Sequence, residues 1–489
     1  MIKKIAILIK IGRALAKSST LDYFGEIYKP NIFIRIFIKI FGFSSFSKKS
    51  LDSKSVGSRL ANALKDLGPT FIKLGQFLGT RPDIVGLDLA KELQSLQDDL
   101  PPFNMSIAKE SIQNEIGNEK YAKIKGLTQP IAAASIAQVH FAKIDGKEYA
   151  IKILRPGIER KFNEELDALM LFASIIESVL PKTKRLKLIE VVHLLKEITS
   201  IEMDLRFEGS AASELRKNTV SDPKFIVPQI NWDFTSKRIL TSEKVVGISI
   251  KNIEKIDELK INKKELAKNI IQNFLRQAVG DGFFHGDMHQ GNLFVDKQGN
   301  IIPVDFGIMG RLDNDNRRYL AEILYGFISR DYQKVAEVHF TAGLVPSDQS
   351  RDSFSQALRS IGEPIFGQSI KNISAGKLLA QLFEITEQFN MATQPQLLLL
   401  QKTMVVVEGV ARTLDEDANI WEISKPVLEG WLKKEVGPEA KFKRAIQTTS
   451  EVIDRLPELP GIMDKASKTL ELLAAGTVAS NNEISKKFE

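Results

Sequence analysis

Phe284-His285-Gly286-Asp287-Met288-His289-Gln290-Gly291-Asn292, followed eighteen residues after Asp287 by Asp305-Phe306-Gly307, decides how this chain is read. Phosphoryl transfer needs a divalent ion to neutralise the β and γ oxygens and a group that orients the attacking nucleophile. Asp287 suits the orienting or base role. Asn292 offers a neutral oxygen and Asp305 a carboxylate, the hard ligands that magnesium prefers. Between them, Leu293-Phe294-Val295 and Ile301-Ile302-Pro303-Val304 read as two short strands joined by a turn at Asp296-Lys297-Gln298-Gly299-Asn300. A hairpin there brings Asn292 and Asp305 to one end. A DFG tripeptide alone says little, and HGDxHxGN recurs in small-molecule kinases; the two at this spacing are specific. Zinc on His285 and His289 is the metal alternative, and it lacks a third His or Cys nearby.

Upstream, Glu148-Tyr149-Ala150-Ile151-Lys152-Ile153 alternates as a strand and supplies Ala-x-Lys, so Lys152 is the candidate for the α and β phosphates. The loop before it runs Pro130-Ile131-Ala132-Ala133-Ala134-Ser135-Ile136-Ala137-Gln138-Val139-His140. A kinase places glycines here, where backbone must approach phosphate closely; alanines restrict that approach and stiffen the loop. No GxxxxGK[ST] and no GxGxxG occurs in the chain, so the P-loop and Rossmann nucleotide folds lose support. His140, His193 and His339 have no partner pattern and read as ordinary core or surface histidines.

Composition narrows the function classes. The 489 residues contain no cysteine, which excludes disulfides, thiolate metal sites and cysteine nucleophiles. The formal net charge of +7 is local: residues 1–49 hold ten cations and two acids, whereas the rest of the chain holds 58 cations and 59 acids. That distribution points to a local anionic partner, a membrane surface, and away from nucleic acid. Residues 1–17 read as an amphipathic helix with Lys3, Lys10, Arg13 and Lys17 on one face. Residues 32–43 are apolar apart from Arg35 and Lys39, a pattern suited to lying in a bilayer surface or to packing on the body. No run of 18 apolar residues occurs, so no transmembrane helix is predicted. A secretory signal is not expected, and an organellar transit peptide stays open.

Helical periodicity is predicted over 55–125, 158–215, 262–280 and from about 315 onward. Strands are predicted over 130–155, turning at Asp145-Gly146, and over 225–250. The fold class is α+β, a two-lobed kinase-like core with helical extensions at both ends. The expected segments are 1–50, basic and membrane-facing; 51–129, helical; 130–246, the smaller lobe; 247–345, the larger lobe; and 346–489, helical.

Taken together, these residues resemble the UbiB (ADCK) family of atypical kinase-like proteins. Lys73-Leu74-Gly75-Gln76 is similar to its KxGQ motif, Ala132-Ala133-Ala134-Ser135 to its alanine-rich loop, and Glu202-Met203-Asp204 with Glu208 to its ExD region. Lys152, the stretch from His285 to Asn292, and Asp305-Phe306-Gly307 complete the pattern, over roughly residues 55–345.

The resemblance implies that Lys152 pairs with Glu208 and that Lys73 reaches over the site to Glu202 or Asp204. It implies a cofactor pocket formed by Lys73, Gln76, the alanine loop, Lys152, Glu202, Asp204 and Glu208, with Asp287 catalytic and Asn292 and Asp305 on metal. ATP and Mg2+ are the implied cofactors. Isoprenoid lipid or quinone intermediates and ubiquinone-biosynthesis proteins are the implied partners, at the cytoplasmic face of the bacterial inner membrane, held peripherally. Bacterial relatives often end in two transmembrane helices; here 466–489 holds only a short patch, Leu470 to Val478, interrupted by Glu471. The rival readings are a nucleotide-gated, lipid-binding scaffold without turnover and a small-molecule kinase.

Overall fold

The computed structural model describes residues 2–18, 55–79, 85–93, 96, 100–179, 187–222, 224–367, 381, 385, 386, 388–391 and 394–436. The apolar segment 32–43 and the polar tail lie outside them. The chain opens with helices α1 (Ile2–Lys17), α2 (Val56–Leu67), α3 (Pro69–Gly79), α4 (Leu87–Leu93) and α5 (Met105–Lys123). A sheet follows, made of β1 (Ile124–Lys125), β2 (Ala132–Ala133), β3 (Ala137–Ile144), β4 (Lys147–Leu154) and later β5 (Ile239–Glu243). Its order is β1-β3-β4-β5, with β2 on β3, and every pairing is antiparallel. Asp145 and Gly146 both take positive φ, 49° and 82°, the two-residue turn whose twist matches the strands it joins.

Alternation along β4 sets up the site. Ile151 and Ile153 are fully buried in a small core with Ala108 and Ile112 of α5, so Lys152 projects from the opposite face. Between β4 and β5 the chain inserts α6 (Ile158–Val179), α7 (Leu188–Glu202) and α8 (Leu205–Asn218). The side chain of Asp204 accepts from the Arg206 N–H and caps α8, so the first turn of that helix carries Glu208.

The second lobe is mostly helical. It contains β6 (Ile248–Ser249), α9 (Ile253–Glu258), α10 (Lys263–Leu275), β7 (Phe283–His285), β8 (Leu293–Val295), β9 (Ile301–Pro303) and β10 (Met309–Arg311). The helices α11 (Asn314–Ile328), α12 (Tyr332–Thr341), α13 (Arg351–Gly367), α14 (Pro395–Leu414) and α15 (Ile420–Val436) close it. Residues 276–281, directly after α10, form a π-helical turn. The lobe packs around Phe274, Phe284, Val335 and Phe354, each with no exposed surface. The fold is thus α+β and two-lobed, as expected.

The N-terminal helices lie on the body. Ile11 of α1 is buried, and Ile7, Leu8 and Leu15 pack beside it against the main core. Lys3 pairs with Glu164 and Lys4 with Asp167, while Lys10 donates to the Leu67 carbonyl. Of the two arrangements the composition of 1–17 permits, the structure takes packing on the body: the apolar face of α1 is covered by α2 and α6. Among the described residues, no helix is long and apolar enough to cross a membrane. Within α3, a Cβ on Gly75 would run into the ends of the Leu96 and Leu64 side chains, so this helix lies close against its neighbours.

Candidate active site

The β8–β9 pairing does for the site what its spacing requires. Leu293 faces Pro303, and the Val304 N–H donates to the Asn292 carbonyl at 2.8 Å, so Asn292 and Asp305 emerge at the same end. The Asn292 amide nitrogen donates to the Asp287 carbonyl at 3.1 Å, which ties the two loop residues together and fixes the direction of the Asn292 side-chain oxygen. Asp305 holds φ at 61°, a left-handed backbone uncommon outside glycine and best tolerated by Asp and Asn.

Lys152 reaches across from the sheet. Its ammonium donates to both Glu208 oxygens at 2.8 Å and to Asp305 Oδ1 at 3.1 Å. Burial draws the lysine down, but Asp305 and Glu208 outweigh it and hold the group above its ordinary value. The Lys152 charge in turn holds the Asp305 carboxyl below the usual carboxylate range, against burial. Burial pushes Glu208 up, and Lys152 opposes it. One strand lysine, one helix acid and one loop acid therefore meet at a single point.

His285 braces the loop. Its Nε2 lies 3.2 Å from the Val304 carbonyl and must carry the proton, leaving Nδ1 to accept from the Asp287 N–H at 3.1 Å. Burial keeps this imidazole below its ordinary value, hence neutral. With both nitrogens engaged, His285 has none to offer a zinc ion. His289 Nδ1 accepts from the Gly291 N–H at 3.0 Å, and its Nε2 stands 3.7 Å from Asp287 Oδ2.

The helical cover adds a second ion pair. Lys73 on α3 meets Glu202 at the end of α7 at 3.1 Å, with both side chains about 15% exposed. Asp305 also feels the Lys73 charge. Two further residues of the expected pocket have partners beside it. Gln76 donates to the Leu96 carbonyl at 3.3 Å, and Asp204 pairs with Arg206 at 2.6 Å while capping α8.

Three further residues shape the site without any sequence signal. Arg155, just past β4, donates to the Ala134 carbonyl through Nε at 3.0 Å and Nη2 at 2.9 Å and so clamps the alanine loop. Thr403, buried on α14, donates to the Gly286 carbonyl at 2.9 Å and ties the catalytic loop to the C-terminal helices. Gln277 in the π-turn accepts from the His285 N–H at 3.1 Å.

The chain's own groups fit a nucleotide and its metal. Ser135, at the end of the alanine loop, is fully buried, and its hydroxyl has no hydrogen-bond partner among the described residues, an exception among buried polar atoms that a ligand oxygen or water would satisfy. Among the described residues no three His, Cys, Asp or Glu side chains gather as a metal cage.

Residues 95–339 match the model of the ABC1 atypical kinase-like domain, and residues 358–419 match the UbiB helical domain. The chain belongs to the ABC1/UbiB family of atypical kinase-like proteins. Among the curated members of this family, it is 38% identical over 436 residues to the probable protein kinase UbiB of Marinobacter nauticus, covering 88% of this chain and 79% of that one. It is 38% identical over 423 residues to the protein of the same name from Aliivibrio fischeri MJ11 (85% and 78% covered), and 37% over 426 residues to that from Pseudomonas aeruginosa LESB58 (86% and 78%). A solved structure of Rv3197 from Mycobacterium tuberculosis in complex with erythromycin shares the fold, with a TM-score of 0.51 and 22% identity, covering 72% of this chain and 90% of that one.

Proposed function

We propose that this protein binds Mg-ATP in the cleft between its lobes and cleaves or transfers the γ-phosphate. The observation that carries the reading is the convergence of Lys152 on Glu208 and Asp305, beside a loop that ties Asn292 to Asp287. In this reading Lys152 meets the α and β phosphates and Ser135 turns its hydroxyl to the nucleotide. The backbone of Ala132, Ala133 and Ala134 lies over the phosphates. Asn292 and Asp305 hold magnesium, which supplies charge neutralisation on the transferring group. Asp287 orients the nucleophile and accepts its proton.

The Lys73–Glu202 pair at the cleft rim supports water or a small hydroxyl compound as acceptor over a polypeptide. The names of its relatives support a role in ubiquinone biosynthesis, with isoprenoid lipid or quinone intermediates and the pathway's proteins as partners. Peripheral contact with an anionic membrane, at the cytoplasmic face of the bacterial inner membrane, rests on the cationic excess of residues 1–49.

Asp305→Asn tests the core of the proposal. Asn tolerates the same left-handed backbone, so the fold should survive, while loss of a metal carboxylate should lower ATP turnover by about 10²–10³-fold. Turnover retained by this variant would remove the assignment.

A further inference from the structure

Away from the nucleotide cleft, α15 and the π-turn enclose an open-mouthed groove of about 360 Å³. Its apolar wall is Val427 and Trp431, backed by the fully buried Val279, and its two charged lining residues are Arg276 and Lys434. No carboxylate is among the described residues that line it. The Arg276 guanidinium is held by two neutral acceptors, Asn273 Oδ1 and Gln272 Oε1, both at 3.2 Å. Asp222 acts on Arg276 only through its field, with no ion pair between them among the described residues. The other donors of its five-donor fork therefore face solvent in the groove.

The groove is also built. Arg317 donates through Nε to the Val279 carbonyl at 2.8 Å and through Nη2 to the Gly280 carbonyl. Its guanidinium then lies 5.9 Å from the centre of the Trp431 ring, so one side chain fixes both walls. Two lining residues, Gly280 and Gly430, are helical glycines that take no positive φ. A Cβ on Gly430 would meet nothing within 4 Å, and one on Gly280 only the Arg276 Cβ at 4.0 Å. Glycine inside a helix costs about 1 kcal/mol against alanine. Neither backbone geometry nor crowding demands it at these positions.

We propose that this groove binds a small amphiphilic monoanion: an acid head between Arg276 and Lys434, and an apolar ring or chain against Val427 and Trp431. The volume lies at the lower end of the range for small-molecule sites. The chemistry requires both halves of the ligand, because the cations alone are solvated and the apolar wall alone is unselective.

Tryptophan quenching in the full-length protein tests it, using a bromine-tagged medium-chain fatty acid, the matching alcohol, inorganic phosphate, and phosphatidylglycerol vesicles with brominated chains. The free acid should quench saturably, and Trp431→Phe should remove that component while leaving any signal from Trp232 and Trp421. Lys434→Gln, on an exposed side chain, and Arg276→Gln should each weaken binding about tenfold, the loss of one charge-assisted contact. Gly430→Leu should abolish binding by filling the groove. Quenching by vesicles alone that shows the same variant pattern would support the groove with a membrane lipid as source. An alcohol that binds as tightly as the acid, inorganic phosphate that protects as well as the acid, or quenching unchanged in Trp431→Phe would overturn the proposal. Asp305→Asn should quench as the parent does, so the outcome does not depend on the nucleotide reading.

Discussion

The loop from His285 to Gly307 and the helical cover made by α2, α3 and α7 both aim charge at one cleft, yet they are held in different ways. The loop is fixed by backbone bonds and by a buried neutral histidine, so its polar side chains are free to be chosen for chemistry. The cover is fixed by apolar packing around Leu64, Leu67 and Phe71 and reaches the cleft through one lysine–glutamate pair. Substitution at Asp305 in the loop should therefore cost turnover and spare the fold, whereas substitution in the cover should cost stability first.

Four measurements put that contrast at risk. Phe71→Ala, at a side chain 1% exposed, should destabilise the cover by about 3–5 kcal/mol, read from urea unfolding and from early proteolysis within 55–95. Parent-like stability would show that the cover does not depend on its core.

The second uses pH. Burial holds His285 below its unfolded value near 6.5, so its contribution to stability is present above that value and is lost as pH falls towards the folded one. His339, lowered to about 4, acts in the same direction and on its own contributes on the order of 3 kcal/mol across that window. The share due to the loop is the difference between parent and His285→Gln: the variant should show a shallower decline from pH 7 to 5. Identical slopes would remove His285 from the account of the loop.

Third, Arg155→Gln frees the Ala134 carbonyl and should cost about 1–2 kcal/mol of stability. A larger change is expected in nucleotide preference, as the alanine loop loosens; Ala132→Gly should move that preference in the same direction. Last, a double-mutant cycle on Lys73→Gln and Glu202→Gln should return a coupling of about 1 kcal/mol, measured by unfolding without nucleotide. A coupling near zero would leave the cover's attachment to its apolar contacts and to the buried bond from Thr70 to Glu165.

What the sequence made legible follows the same divide. The hairpin at 293–303 and the alternation around Lys152 are local patterns, and both appear where their periods place them. A motif does not say which neighbours a helical side chain takes: Gln76 bonds the Leu96 carbonyl, and Asp204 caps its own helix. Arg155, Thr403 and Gln277 left no local trace, because each acts on a carbonyl or N–H that only the folded chain brings near. The amphipathic pattern of residues 1–17 fits a bilayer surface as well as a protein surface, and only the partners Glu164, Asp167 and Leu67 show which one α1 meets here.

Gly75 stands two residues beyond Lys73. Since a Cβ there would press on the ends of the Leu96 and Leu64 side chains, the missing side chain acts as a ruler for the lysine's reach. An alanine there would act as a shim: it would lift α3 and draw the ammonium back from Glu202, altering the chemistry at the rim without touching any group that takes part in it.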